Sequence, residues 1–314
     1  MNFNGISLLA VATAMLIMTT ILTTPASAAR LVIREKPKKS APMPPDWRSH
    51  MHKLSVMMND DPEYHFALQQ FAKESGDLPV EHCLIEGVVC NANGQMVELT
   101  IVGVDAKVEF AAIPTTVATV NFEGGFMKQP LSSLSSLPAW VKRVSFSDVK
   151  FLQTNGPVDF NMKKGALREL RCSNCGIKEI DWDKMPPLIS LDLSKNKLKT
   201  LPFDKLPRTL RVLNVSDCGL KQDVSKSVEL PVSLISVDVS RNEFSGTLSW
   251  NFPAYLESFY ASNNQLTGSG IVEKFPVSIV NVDLSHNQLS EKLGDLSTFV
   301  ALSSIDVSFN KIAA

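Results

Sequence analysis

The chain has 314 residues, 44% of them hydrophobic, and it carries 31 basic and 32 acidic side chains. This apolar content is sufficient for a folded core, and the near balance of charge excludes a global field that would favour nucleic acid as the main partner. The sequence contains no P-loop, no glycine-rich dinucleotide loop and no H-E-x-x-H or G-x-S-x-G motif. We therefore predict a protein that is not an enzyme and needs no cofactor or metal.

The first 28 residues are typical of an export signal. They hold no ionisable side chain and an apolar stretch at residues 6–22, and Ala26-Ser27-Ala28 supplies the small residues that signal peptidase requires. A retained membrane anchor is the alternative, because the stretch reaches the roughly 17 residues that span a bilayer and the basic residues follow it. Cleavage after Ala28 predicts a secreted or cell-surface protein. Without cleavage, residues 6–22 associate with the membrane.

Two segments follow the signal. Residues 29–46 are a predicted basic, proline-rich linker, since their charge and four prolines prevent a packed core. Residues 47–95 predict a small helical N-terminal cap. Within it, Asp61 followed by Pro62 is typical of a helix start. The residues that then fall on one helical face are Tyr64, Leu68, Phe71 and Ala72.

One eleven-residue frame, L-x-x-L-x-L-x-x-N-x-L with substitutions, recurs about ten times within residues 96–314, for example as LISLDLSKNKL at residues 188–198. Successive starts are 21 to 26 residues apart, a period typical of leucine-rich repeats. The ten starts are Met96, Val117, Val141, Leu167, Leu188, Leu210, Leu234, Leu256, Ile279 and Leu302. We therefore predict an α/β solenoid, a leucine-rich repeat horseshoe with a parallel concave sheet, a loop-rich convex side and the helical cap.

Each frame predicts a short strand over its x-L-x-L segment, the third to sixth positions. Side chains alternate across a strand, so the fourth and sixth positions point inward while the third and fifth point to the concave face. An asparagine at the ninth position can satisfy backbone groups that the turn leaves unpaired. This position is asparagine at Asn196, Asn242, Asn264, Asn287 and Asn310. A proline three residues before most frames suits the corner at which the chain enters the strand.

The residues before the first frame, HCLIEGVVCNANG from His82, resemble the N-terminal cap of plant-type leucine-rich repeat ectodomains. Cys83 and Cys90 match the family's cysteine pair, and Gly87 and Val88 match its turn, whereas the family's tryptophan is absent. With the recurring L-P-x-x-L entry, the chain also resembles kinetoplastid surface leucine-rich repeat antigens, the promastigote surface antigen group. The resemblance implies an exported protein with a Cys83–Cys90 disulfide, a concave face that binds proteins, and no catalytic residues.

The sequence Cys172-x-x-Cys175 is compatible with a redox pair, with half of a zinc site or with neither. In the frame, Cys172 occupies the inward sixth position and Cys175 the asparagine position, as Cys218 does in a later repeat. A thiol is a common interior substitute for either residue type. We therefore predict two buried structural thiols, in preference to a local disulfide or to metal or redox chemistry.

The fifth positions of the frames supply the candidate binding residues. The predicted protein-binding residues are Arg171, Asp192, Asn214, Asp238, Tyr260, Asp283 and Asp306. Because D-x-S sequences also solvate strand faces and bond neighbouring turns, Tyr260 and Arg171 are the strongest candidates for ligand contact. Asn214 begins the only glycosylation sequon with a permitted middle residue. A glycan on Asn214 would obstruct the face.

These features predict a non-catalytic secreted or cell-surface protein-interaction scaffold or surface antigen whose partner is a protein. The alternatives are the ectodomain fragment of a leucine-rich repeat receptor, an intracellular repeat adaptor with an uncleaved anchor, and an inhibitor of a secreted enzyme. The chain ends at Ala314, two residues past the last frame, without a C-terminal cap. Because a repeat cannot bury its own apolar edge, we expect either a longer natural sequence or a partner on this end.

Overall fold

Each frame of the sequence contains one strand of a parallel sheet. The computed structural model describes residues 87–93, 95–152, 156–160, 165–226, 228–268, 272–290 and 295–312. The described residues contain sixteen strands, namely β1 Val88–Cys90, β2 Met96–Val104, β3 Thr119–Met127, β4 Arg143–Ser147, β5 Lys150–Phe151, β6 Glu169–Ser173, β7 Ser190–Asp192, β8 Val212–Asn214, β9 Val228–Glu229, β10 Ser236–Asp238, β11 Ser245–Thr247, β12 Trp250–Asn251, β13 Ser258–Tyr260, β14 Gln265–Thr267, β15 Asn281–Asp283 and β16 Ser304–Asp306.

The main sheet stacks the repeats in sequence order. Its strands run β1-β2-β3-β4-β6-β7-β8-β10-β13-β15-β16, with β5 beside β3. Strand β1 is antiparallel to β2, and every later pair along this path is parallel. The pairing is in phase with the frame, since fourth positions such as Leu191 and Leu213 are register partners. The predicted parallel sheet is confirmed, and we name its outward side the concave face.

The inward positions of the frames build the core. Leu188, Leu191 and Leu193, from the first, fourth and sixth positions of one frame, are all 0% exposed. Further along the solenoid, aromatic rings from different repeats pack together in the interior. This cluster consists of Phe203, Phe244, Trp250, Phe252, Phe259 and Phe275. The repeats are therefore stabilised by burying apolar surface against one another, which an isolated repeat cannot do.

The asparagines of the ninth position form a buried ladder. Oδ1 of Asn242 accepts the backbone N–H groups of Cys218 and Leu220 at 3.1 and 3.0 Å. Its Nδ2 donates to the carbonyl oxygens of Val215 and Val239 at 2.9 and 3.0 Å. Similar bonds are made by Asn196, Asn264, Asn287 and Asn310. Each amide therefore joins two successive repeats, as the frame predicts.

The eighth position turns the chain out of each strand in the left-handed conformation. Eight non-glycine residues have φ between 53° and 60° there, namely Asp148, Asn174, Lys195, Asp217, Arg241, Asn263, His286 and Phe309. Asparagine and aspartate tolerate this region, whereas other L-residues lose about 1–2 kcal/mol in it. Stacking offsets that cost, because the backbone N–H of this position donates to the next repeat. Arg241, for example, donates to the Ser262 carbonyl oxygen at 2.8 Å.

A β-turn leads into most strands of the main sheet, and it lies at the proline-containing corner that the sequence predicts. In six of these entry turns a proline carbonyl oxygen accepts the N–H of the first frame residue, as Pro231 does from Leu234 at 3.0 Å. In the last turn Phe299 takes the place of proline and accepts from Leu302 at 3.0 Å. The two central residues of each turn lie at one edge of the sheet, which we name the entry rim. The opposite edge, at the eighth positions, is the exit rim.

The side away from the concave face consists of loops, short strands and single turns of helix. Two small parallel pairs, β11 with β14 and β9 with β12, lie off the main sheet. The 3-10 helices are Phe110–Ala112, Leu131–Ser136, Trp182–Lys184, Phe203–Lys205 and Val272–Lys274. The part of the chain that the structure describes contains no α-helix and no helix long and apolar enough to cross a membrane. This architecture agrees with the predicted loop-rich convex side.

The described end of the predicted cap is a strand. Val88–Cys90 pairs antiparallel with β2 and covers an edge that would otherwise leave backbone groups unpaired. Gly87, at φ 86°, directly precedes this strand, at a position where an added Cβ would clash with the carbonyl oxygen of Thr100. The predicted helical cap, residues 47–95, is described only from residue 87 onward, and that described part contains a strand and no helix. The predicted helix start at Asp61, the signal and the linker lie outside the described residues.

Candidate functional site

The seven predicted binding residues lie in one unbroken row on the concave face. Each is the register partner of the next, from Arg171 opposite Asp192 to Asp283 opposite Asp306. Neighbouring strands are about 4.8 Å apart, so the six steps of the row extend over about 29 Å. We name these seven residues the fifth-position row. The topology thus brings together side chains that are up to six repeats apart in sequence.

The aspartates of the row are held in place by their own repeats. Oδ1 of Asp238 accepts the backbone N–H and the hydroxyl of Ser240 at 2.9 and 2.6 Å. Equivalent N–H bonds are made to Asp192, Asn214, Asp283 and Asp306. At Asp306 the N–H and hydroxyl of Ser308 hold the pKa of the carboxyl below its usual value. This is the local role expected of D-x-S, and it orients each carboxylate through one of its two oxygens, Oδ1.

Arg171 and Tyr260 supply the larger side chains of the row. The Arg171 side chain is 55% exposed, and its Nε lies 3.4 Å from Oδ2 of Asp192. An exposed ion pair of this kind contributes little to stability, so a ligand can replace it at small cost. Tyr260 is half-buried and has Asp238 and Asp283 as its register partners. The ring therefore offers apolar area that is flanked by carboxylates.

Two contacts on this side of the molecule were missed by the sequence reasoning. Arg143 and Glu169, third positions of adjacent frames, form a bidentate pair at 2.6 and 2.8 Å. The guanidinium hydrogen bond holds the pKa of the Glu169 carboxyl below its usual value. At the exit rim the rings of His286 and Phe309 stack with centroids 4.2 Å apart. The opposite charges at the third positions of adjacent frames could have indicated the pair of Arg143 and Glu169. The frame assigns no face to the eighth position, so the sequence did not indicate the stacking of His286 on Phe309.

Asn214 lies in the middle of the row and is half-buried. Its Oδ1 accepts the backbone N–H and the hydroxyl of Ser216 at 3.0 and 2.7 Å. Glycosylation of Asn214 stays a prediction, and a glycan there would cover the centre of the row. Within the described ranges, no group of three or more histidine, cysteine, aspartate or glutamate side chains could hold a metal ion.

The structure joins Cys172 and Cys175 in a disulfide. The prediction of two free thiols is therefore wrong, whereas their predicted burial, at 0% and 2% exposure, is confirmed. The reason lies in the turn between them, because Asn174 at φ 55° brings the two Cα atoms to 5.7 Å, a separation that a disulfide spans. Cys90 is also disulfide-bonded. Its predicted partner, Cys83, lies outside the described residues, so that pairing stays a prediction.

Cys218 is the free cysteine among the described residues. It replaces an asparagine of the ladder by donating its thiol to the carbonyl oxygen of Leu193 at 3.1 Å. Burial raises the pKa of this thiol from 9.0 to about 12. The folded state thus favours the neutral thiol. The stability that this preference gives to the folded protein is fully present below pH 9.0 and is lost as the pH rises from 9.0 to about 12.

We expect Cys218 to resist a thiol reagent such as DTNB in the folded protein at about pH 8, because the thiolate is the reacting species. The raised pKa lowers the thiolate population about a thousandfold. In urea the same thiol is expected to react within the mixing time. A Cys218→Ser variant, which should lose this urea-dependent reaction, identifies the residue. Rapid labelling of the native chain at Cys218 would contradict the expectation.

Comparison with known proteins shows which fold this is. No protein-family model matches the sequence, and no curated protein matches it. The structure is similar to the LRR ectodomain of the plant membrane receptor kinase GASSHO1/SCHENGEN3 from Arabidopsis thaliana, solved with CASPARIAN STRIP INTEGRITY FACTOR 2, with TM-score 0.51 and 17% identity over 84% of this chain and 32% of that one. The chain has the leucine-rich repeat fold.

Two further solved structures illustrate the likeness. The Arabidopsis receptor kinase HAESA, in complex with the peptide hormone IDA and the co-receptor SERK1, gives TM-score 0.50 and 17% identity over 84% of this chain and 50% of that one. The leucine-rich repeat domain of APL1B gives TM-score 0.48 and 20% identity over 62% of this chain and 56% of that one. This leucine-rich repeat chain thus spans 32% to 56% of the structures compared. The finer resemblance to kinetoplastid surface antigens stays a prediction.

Proposed function

We propose that this leucine-rich repeat protein is a non-catalytic scaffold or surface antigen that binds a protein partner through its fifth-position row. One observation supports this above all others: seven side chains from seven repeats form a continuous, in-register line. A line of about 29 Å has the length of an extended segment of about nine residues. The row can therefore contact one peptide segment along its whole length.

The charges of the row suit a partner segment that carries lysine or arginine. Asp192 is the aspartate of the row that takes part in an ion pair within the described residues, and the ion pairs found there do not include the carboxylates of Asp238, Asp283 or Asp306. Their serine bonds fix them before binding, which lowers the entropy lost when a partner docks. Charge-assisted hydrogen bonds to these carboxylates would orient the segment, and Tyr260 would supply an apolar anchor.

Export to the medium or the cell surface is part of the same proposal. It is supported by the signal-like first 28 residues and by the Cys172–Cys175 disulfide, because disulfides persist in oxidising compartments. The likeness to HAESA, solved with a peptide hormone and a co-receptor, supports a protein or peptide as the kind of partner. If residues 6–22 are retained, they would display the solenoid at a membrane.

The test is photo-crosslinking in cells that make the protein. A benzophenone amino acid in place of Tyr260 is expected to give a covalent adduct with a partner protein. The same amino acid in place of Glu273, which is exposed in a 3-10 helix away from the row, is expected to give none. For the partner identified in this way, Tyr260→Ala should weaken binding at least about thirtyfold, as truncation of a buried interface anchor does.

Glu273→Ala is the matched control and should leave the affinity within about twofold, because an exposed residue outside an interface contributes little. Equal adducts from the two positions would contradict the proposal. So would a partner whose affinity is the same for the Tyr260→Ala and Glu273→Ala variants.

A further inference from the structure

The entry rim carries an exposed apolar ridge that the fifth-position row does not use. In four successive repeats the central residues of the entry turns include Val232, Tyr255, Val277 and Val300, which are 73%, 74%, 68% and 92% exposed. Trp140, from an earlier entry turn, is 37% exposed. Exposed apolar side chains are normally scattered singly. Here they recur at one place in the repeat, so they form a line along the edge of the sheet.

Hydrogen bonds between the turns show that this line is continuous. The hydroxyl of Ser233 donates to the carbonyl oxygens of Arg208 and Leu210 in the preceding repeat, both at 2.7 Å. Ser278 bonds the preceding turn in the same way, at the Ala254 carbonyl oxygen, 2.9 Å away. The hydroxyls of Ser233 and Ser278 are therefore used inside the solenoid. In these two turns the valine side chains, Val232 and Val277, remain exposed.

The charges at this edge are predominantly basic. Lys142, Arg168, Arg208 and Arg211 are exposed, and none of them takes part in an ion pair within the described ranges. The seven entry turns have two central residues each, and no acidic residue occupies any of these places. Glu257 is the acidic residue among the second positions of the frames. The rim thus combines uncompensated guanidinium and ammonium groups with the apolar ridge.

We propose that the entry rim is a docking surface for an anionic phospholipid bilayer. In the five successive repeats that start at Leu210, Leu234, Leu256, Ile279 and Leu302, one entry turn contributes at the same place before the strand. A flat surface can therefore contact the ridge and the neighbouring basic residues together. Guanidinium groups bind phosphate well, and valine and tyrosine side chains suit the boundary between headgroups and acyl chains. The entry turns have no acidic residue to pair with the basic groups of a mixed-charge protein surface, whereas each headgroup of an anionic bilayer presents a phosphate.

The exit rim does not share these features. Its eighth positions mix acidic, basic, amide and imidazole side chains, with Phe309 as the apolar exception. The entry rim is also separate from the fifth-position row, so a substitution can remove binding at one surface and leave binding at the other unchanged.

The experiment is co-sedimentation of the full chain with vesicles. We expect binding to vesicles of phosphatidylcholine and phosphatidylserine in equal parts to be at least about tenfold tighter than to pure phosphatidylcholine, because several basic residues each add about a fivefold preference. Arg208→Ala and Arg211→Ala should each lose about fivefold, and Val277→Asp should lose at least as much. Asn263→Asp, which adds the same negative charge at the exit rim, is the matched control and should change nothing.

Tyr260→Ala should also keep full vesicle binding, which separates this surface from the proposed function. All the rim residues changed are exposed, so an unaltered urea midpoint is expected and confirms that the variants fold. Equal binding to both kinds of vesicle, or binding that every rim variant retains, would overturn the proposal and assign membrane association to residues 6–22. A concentration-dependent dimer that Val277→Asp dissociates, without vesicle binding, would overturn it in favour of a second copy.

Discussion

Replacing Asn242 by alanine is expected to lower the free energy of unfolding by about 4 kcal/mol. The amide accepts two buried backbone N–H groups, those of Cys218 and Leu220, and donates to the carbonyl oxygens of Val215 and Val239. Alanine would leave these groups without a partner and out of reach of water, and each unsatisfied buried donor or acceptor costs about 1–3 kcal/mol. The loss is large because one side chain serves two repeats at once.

Urea unfolding followed by circular dichroism measures this loss. Asn281→Ala is the matched control, since Asn281 is an asparagine of the same sheet that is half-buried and makes one long bond, to the Ser258 hydroxyl at 3.4 Å. Its removal should change stability by less than about 0.5 kcal/mol. Similar losses in the two variants would show that the ladder does not stabilise the solenoid.

Asn242→Cys should lower the free energy of unfolding by less than Asn242→Ala does, because the fold already has a cysteine at one ninth position. Cys218 occupies a ninth position, and its thiol donates to the Leu193 carbonyl oxygen at 3.1 Å. A thiol therefore keeps one of the amide's donated bonds, although sulfur is a weaker acceptor for the backbone N–H groups. The ninth position thus requires a small buried side chain that donates a hydrogen bond. Asparagine also accepts hydrogen bonds from the backbone N–H groups, which a thiol does only weakly.

The frame predicted the fold because its constraints come from packing. Leucine or valine at the first, fourth and sixth positions has one way to be buried when strands stack in register, as Leu188, Leu191 and Leu193 are. The same alternation placed the fifth positions outward, so the row from Arg171 to Asp306 was predictable as a row. Which of its members contacts a partner does not follow, since the solenoid is equally stable with many side chains at an outward position.

Features that depend on turns were less accessible to the sequence. The left-handed eighth position is occupied by Lys195 and Arg241, residues with no preference for it. The stacking of repeats imposes that conformation, and no local propensity indicates it. The Cys172–Cys175 disulfide has the same origin, because the turn at Asn174 sets the distance between the cysteines. Once the turn is known, cysteine at both the sixth and ninth positions of a frame predicts a disulfide.

Replacing Phe259 by alanine is the second substitution expected to have a large effect, a loss of about 3–5 kcal/mol in the free energy of unfolding. Phe259 is 0% exposed, and its ring lies 5.7, 5.0 and 5.7 Å from the ring centroids of Trp250, Phe252 and Phe275. Alanine would remove these contacts and leave a cavity among side chains that the backbone holds in place. The free energy lost is the transfer of the ring plus the cost of that cavity.

Phe309→Ala is the matched control for this loss. Phe309 belongs to the same solenoid, but it is 72% exposed and its ring stacks on that of His286, so its removal should cost less than about 1 kcal/mol. Urea unfolding of the two variants, followed by circular dichroism and by the fluorescence of the four tryptophans, gives both values. Because the aromatic cluster contains residues from several repeats, Phe259→Ala should destabilise the solenoid beyond its own repeat. A loss no larger than that of Phe309→Ala would mean that the cluster fills space without coupling the repeats.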